Sequence, residues 1–270
     1  MEWFQAIILG LVQGLTEFLP VSSSGHLAIG REILGVDVGD DLMFDVVLHT
    51  ATVLATIIVF RKEILRLLRG LFRFRWNDET DYILKICVSM VPVFVVGMFF
   101  KDKVEALFSS FVVVGVALLV TALLLFFSDR PSLRDRKPSD GPAPRNGVSW
   151  LQAFIVGLGQ AVAVVPGLSR SGTTISTGLL CGMKRSDVAQ FSFLMVLVPI
   201  LGEAFLDLVG GDVASSSVGA VPMALGFLAA FVSGLFACKV MVAIVKKAKL
   251  KWFALYCAIV GISVILYCVL

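Results

Sequence analysis

The chain has 270 residues, 58% of them apolar, and a mean hydropathy of +0.93, far above what a soluble domain carries. Its formal net charge of +3 gives no reason to expect a nucleic-acid partner; most of the chain is solvated by lipid. Apolar runs long enough to approach or cross a bilayer recur near 3–19, 43–60, 82–100, 111–127, 150–165, 188–209, 218–243 and 252–270. The first lacks a basic flank and a small-residue cleavage site, so it reads as mature structure. The five cysteines (Cys87, Cys181, Cys238, Cys257, Cys268) lie in or beside apolar runs without metal-type spacing and read as small buried hydrophobes.

The charges between the runs set a topology. Residues 61–75 (Arg61, Lys62, Arg66, Arg69, Arg73, Arg75), 128–147 (Arg130, Arg134, Arg136, Lys137, Arg145) and 246–251 are basic. The connections at 31–42 (Glu32, Asp37, Asp40, Asp41 against Arg31) and 210–217 are acidic or free of base. The bias of Lys and Arg toward the cytoplasm puts the first set inside, with Lys101 and Lys103 as a mild violation. The stretch "DRPSLRDRKPSDGPAPRNG" (129–147) holds four of the nine prolines and reads as a cytoplasmic linker at the midpoint of the chain.

Two halves flank that linker. An offset of 147 lays "WFQAIILGLVQGLTEFLPVSSSG" (3–25) over "WLQAFIVGLGQAVAVVPGLSRSG" (150–172) without a gap, with ten of 23 pairs identical, Trp, Gln, Ser and Gly among them. The run at 43–60 goes from outer to inner, whereas 188–209 goes from inner to outer. The expected fold is therefore an all-α polytopic membrane protein of two inverted-topology repeats, 1–127 and 148–270, joined by the linker 128–147. Each repeat has about three crossing helices. Each also has a 16- or 17-residue apolar run that stops at Pro20 or Pro166, a Ser/Gly stretch, and a short apolar segment (27–30 or 175–183). That unit reads as a re-entrant helix–loop–helix, entering from outside in repeat 1 and from the cytoplasm in repeat 2, with the loops meeting near the middle.

Asymmetric chemistry can arise only where the repeats differ. Glu17 faces Val164, Ser23 faces Arg170 and His26 faces Thr173. Gln13 and Glu17 share one helix face. Loop hydroxyls and N–H groups at Ser22, Ser24, Gly25, Ser169, Ser171, Gly172 and Thr173 can cap the following helices and bind an anion. Arg170 supplies a rigid fork of donors for phosphate. Ionisable groups at this depth are costly and mark function. Together they describe a phosphate pocket with an acid/base pair, reachable by a lipid. His49 reads as a packing histidine, Ser176, Gly178 and Gly182 as close helix contacts, and Asp45 and Glu203 as second-rank cavity residues.

The two motifs "QGLTEFLPVSSSGH" (13–26) and "PGLSRSGTTIS" (166–176) resemble the undecaprenyl pyrophosphate phosphatase family, also called the bacitracin-resistance family, over essentially the whole chain. The resemblance implies a multi-pass enzyme of the bacterial inner membrane that removes one phosphate from a polyprenyl diphosphate, recycling the carrier lipid of cell-wall synthesis. It carries functional roles onto Glu17, Ser23, His26 and Arg170. Where the family has Glu or Gln, Gln13 here cannot be a carboxylate ligand. A divalent cation, Mg²⁺ or Ca²⁺, is expected, with Glu17 as its protein ligand or as the residue that orients His26. Ser23 is the candidate nucleophile and His26 the base toward Ser23 or water. Charge counting opens the pocket to the periplasm. A polyprenyl-phosphate transporter or flippase on the same scaffold is the alternative, and a homodimer is left open. A phosphatidic-acid-phosphatase mechanism needs a further histidine after Arg170, and Thr173 to Leu180 contain none.

Overall fold

In hydrocarbon a backbone must satisfy its own hydrogen bonds, so long apolar runs fold as helices. The computed structural model bears this out. It describes residues 1–36, 42–107, 110–129, 145–210, 218–247 and 249–270. The acidic connection with Asp37, Asp40 and Asp41, the linker core 130–144, the base-free 211–217, and the Lys101 and Glu203 side chains lie outside the described residues.

Among the described residues the chain forms twelve α-helices and no strand. They are α1 (Trp3–Phe18), α2 (Ser23–Leu34), α3 (Leu42–Val59), α4 (Arg61–Leu71), α5 (Asp78–Phe99), α6 (Lys101–Leu107), α7 (Phe111–Ser128), α8 (Trp150–Val162), α9 (Arg170–Leu180), α10 (Arg185–Gly210), α11 (Ala220–Lys247) and α12 (Lys251–Val269). Five of them, α5, α7, α10, α11 and α12, are long and apolar enough to cross a membrane. The pair α3–α4 qualifies together but bends by 76°. The basic stretch 61–75 is more than a connection between crossing runs. It is largely helix α4, because its apolar and basic residues alternate at helical spacing.

The duplication recurs as hydrogen bonds. Gln5 Oε1 accepts from Glu2 N and Gln5 Nε2 donates to Leu34 O; at the same offset Gln152 Oε1 accepts from Ser149 N and Gln152 Nε2 donates to Cys181 O. Each bond clamps a short helix to the end of its partner, α1 to α2 and α8 to α9. Helix pairing repeats too: α1 packs on α11, α8 packs on α5, and α7 packs on α12. Small residues allow these close approaches. A methyl on Gly10 would overlap the Gly226 carbonyl, one on Gly157 would lie 2.8 Å from Ser89 Cα, and one on Gly261 would lie 2.8 Å from the Gly115 carbonyl oxygen.

Helices α1, α2, α8 and α9 are each too short to span a bilayer, and the loops that break them meet inside the molecule. Ser171 Oγ donates to Leu19 O at 3.2 Å, and Gly167 N donates to Ser24 Oγ at 3.4 Å. Each loop is braced by the last helix of the opposite half. Ser169 N donates to Thr121 Oγ1 of α7 at 3.1 Å, and Cys257 Sγ of α12 donates to Pro20 O at 3.5 Å. Irregular backbone at this depth is tolerated because protein surrounds it.

Candidate active site

Both loops turn their chain into a helix N-terminus by the same device. Ser22 Oγ accepts from Gly25 N and Ser169 Oγ accepts from Gly172 N, so each serine caps its helix. Ser22 holds φ +72°, a region that costs a side-chain-bearing residue energy and persists only where surrounding structure fixes it. The two N-termini, of α2 and α9, face each other across the loop contact. Their first-turn N–H groups and partial positive charge suit an anion.

The expected caps form, and they take up part of the donor frame. The N–H groups of Gly25 and Gly172 are consumed by the caps, and Ser22, Ser169, Ser171 and Thr173 are all buried. Ser24 and Ser171 are occupied in the loop crossing. What remains for a ligand is the first-turn N–H set at Ser23, Ser24, Arg170 and Ser171, where helix geometry leaves donors without an intrahelical acceptor.

Glu17 is the centre of the polar cluster. Its side chain is 7% exposed. Its Oε2 accepts from Gln13 Nε2 at 2.9 Å and from Ser23 Oγ at 2.6 Å. Arg170 stands 3.7 Å from Oε1, and His49 Nε2 stands 3.8 Å from Oε2. Helix spacing explains the first contact, since Gln13 and Glu17 are four apart. The others come from three further elements, α2, α9 and α3. The structure thus brings Glu17, Ser23, Arg170 and Gln13 together.

It does not bring His26 to Ser23. His26 Nδ1 lies 2.8 Å from Ser22 O, and a carbonyl only accepts, so Nδ1 carries a proton. Nε2 lies 2.7 Å from Tyr256 Oη, and the two rings stack at 5.5 Å between centroids. Ser23 Oγ donates to Glu17, whereas the two ring nitrogens of His26 face Ser22 O and Tyr256 Oη. Sequence reasoning missed Tyr256, 230 residues away, because nothing local marks it. It also set His49 aside as packing. His49 Nδ1 donates to Asp45 O, one turn back on α3, which leaves Nε2 toward Glu17. Asp45 itself pairs with Arg31.

A cavity opens from this cluster between α3 and α10. Glu17, Arg170 and Ser171 line it together with Phe18 of α1, Val53 of α3, and Phe193 and Leu197 of α10.

Among the described residues no group of three or more His, Cys, Asp or Glu side chains could hold a metal. A hard cation can be held with fewer protein ligands when substrate oxygens supply the rest. Gln13 Oε1 is a buried acceptor without a donor beside the Glu17 carboxylate, which fits such a cation. Gln160 Oε1, its counterpart, is also without a donor but stands in the half where Val164 replaces the carboxylate.

Comparison with known proteins agrees in extent. The family described as Bacitracin resistance protein BacA matches over residues 6–263. Curated relatives carrying the name undecaprenyl-diphosphatase include one of Bacteroides fragilis, 52% identical over 269 residues and covering 98% of both chains. One of Parabacteroides distasonis is 53% identical over 269 residues, again covering 98% of both chains. A more distant one, of Methanococcus vannielii, is 39% identical over 264 residues, covering 97% of this chain and 98% of the relative.

Proposed function

The chain belongs to the bacitracin resistance protein BacA family, and we infer from that membership how its site works. It is a multi-pass membrane undecaprenyl-diphosphatase, which removes one phosphate from a polyprenyl diphosphate and returns the carrier lipid as its monophosphate. The observation that carries the inference about residues is the 2.6 Å bond from Ser23 Oγ to Glu17 Oε2, with the Arg170 guanidinium beside the same carboxylate.

The diphosphate head lies between the N-termini of α2 and α9, and the polyprenyl chain runs along the cavity between α3 and α10. Arg170 and the first-turn N–H groups hold the terminal phosphoryl oxygens and stabilise the charge that builds on them. Ser23 Oγ attacks the terminal phosphorus as its proton passes to Glu17 Oε2. A P–O bond forms to serine, the phosphoanhydride P–O bond breaks, and polyprenyl monophosphate leaves with the bridging oxygen. The departing bridging oxygen takes that proton from Glu17. Water then attacks the phosphoserine phosphorus as one of its protons passes to Glu17, the serine P–O bond breaks, Ser23 Oγ takes the proton back from Glu17, and inorganic phosphate is released. His26, held by Ser22 O and Tyr256, orients the start of α2.

Mg²⁺ or Ca²⁺, held by Glu17, Gln13 Oε1 and substrate oxygens, would neutralise phosphate charge when bound. The two halves cross in opposite senses, in the bacterial inner membrane, with the pocket open to the periplasm; the distribution of Lys and Arg supports this orientation.

Phosphate release from a polyprenyl diphosphate by the purified chain in detergent tests the reading. Wild type releases phosphate without any compartment, as a transporter would not, and Arg170→Ala loses the activity. Trapping a phosphoserine at Ser23 tests the nucleophile. If none forms and Ser23→Ala keeps most activity, water attacks directly.

A further inference from the structure

The surface of α4 and the turn after it divides into three sectors. Leu67 and Gly70 are buried against the protein, with Ile64 and Leu71 half-buried beside them. Leu65, Leu68 and Phe72, spaced by three and four residues, are exposed and form one apolar stripe. Lys62, Arg69 and Arg73, spaced by seven and four, are exposed on the sector next to it. Of the bases on this face only Arg66 has a carboxylate partner among the described residues, through Glu63 and Glu79.

Beyond the helix, Phe74 is 89% exposed and Trp76 65% exposed, with Arg73 before them and Arg75 between them. Phe74 holds φ +49°, a strained choice for a bulky residue, and that turn sends the aromatic outward. The helix leaves α3 at 76°, so it does not continue the direction of α3. An apolar stripe bordered by unpaired bases on such a helix lies in the plane of a bilayer surface.

We propose that α4 and residues 72–76 form a docking surface for anionic phospholipid headgroups. The apolar stripe and the two aromatics enter the acyl boundary, and Lys62, Arg69, Arg73 and Arg75 meet the phosphates. The occupant is an anionic lipid because the exposed bases adjoin apolar residues that a soluble polyanion would leave wet. The consequence reaches the cavity. Only Phe60 separates α4 from α3, and Glu63 on α4 accepts from Gln190 of α10, so a docked α4 ties the two walls of the cavity together.

The test uses the full chain in lipid nanodiscs, with Trp3, Trp150 and Trp252 replaced by Phe so that Trp76 reports alone. Its fluorescence is quenched by brominated phosphatidylglycerol or by brominated phosphatidylcholine at equal bulk fraction. Preferential quenching by phosphatidylglycerol, weakened by salt and reduced at least about tenfold in K62Q/R69Q/R73Q, is the expected result. Phosphate release in neutral detergent stays at the parent level in that variant, which certifies its fold. Equal quenching by the two lipids overturns the proposal. So does an unchanged preference in the triple variant, or an equal loss in K249Q/K251Q, which would reduce the effect to net charge.

Discussion

Glu17→Gln removes the group that takes the proton from Ser23, together with one carboxylate ligand of the cation. The amide is nearly isosteric and keeps an oxygen that can accept from Ser23, but it cannot take the proton that Ser23 gives up at 2.6 Å. Removing a positioned general base costs about 10²–10⁴ in rate, or about 3–5 kcal/mol of barrier at 1.36 kcal/mol per decade. The fold should survive. The amide keeps the size and hydrogen-bonding capacity of the carboxylate, and Arg170, 26% exposed, retains contact with its surroundings at the cavity. Initial rates of phosphate release from a polyprenyl diphosphate in micelles, resolved into kcat and KM, should show the loss in kcat. Because Glu17 and Ser23 act as one unit, Glu17→Gln combined with Ser23→Ala should fall no further than Ser23→Ala alone. Retention of more than about a tenth of wild-type kcat would refute the assignment, and so would multiplicative losses in the double variant.

Five further expectations attach to particular residues and to the cation. Tyr256→Phe removes the 2.7 Å partner of His26 but keeps the stacked ring; kcat should fall about 2–10-fold, and Tyr256→Ala should fall further through loss of the stack. Gly14→Ala would push a methyl into Ser233 Oγ and to 2.7 Å from Gly234 N, costing about 1–3 kcal/mol in a thermal or denaturant titration. Gly97→Ala, with nothing within 4 Å of the new carbon, should be neutral or slightly stabilising. Lys85→Met strands the buried Asp81 that Lys85 meets at 2.5 Å, for a loss of about 3–5 kcal/mol, whereas replacing both residues by apolar ones should recover most of it. Chelation of divalent cations should abolish phosphate release, with Mg²⁺ or Ca²⁺ restoring it; activity indifferent to chelator would remove the metal from the site.

The fold was legible wherever local pattern decides it. Lipid solvation forces long apolar runs such as 111–127 and 252–270 into helices, and α7 and α12 follow them within a few residues. The offset of 147, visible as Gln5 over Gln152, reappears as matched bonds to Leu34 O and Cys181 O, because a repeated local sequence makes the same caps and clamps. Helix α4 was not legible as structure from a charge count, since its basic residues dominate the hydropathy while its apolar ones set the helix phase.

At the site, sequence alone determined the inventory of chemistry. Glu17, Ser23 and Arg170 stand out because the repeats differ there, and a duplicated scaffold can be catalytically asymmetric only at such differences. Tertiary structure decided which groups meet. The axial phase of α2 turns Ser23 toward Glu17 and His26 toward Tyr256 of α12, and α3 carries His49 to within 3.8 Å of the carboxylate. No period or motif encodes those meetings, because each depends on helix packing between segments up to 230 residues apart.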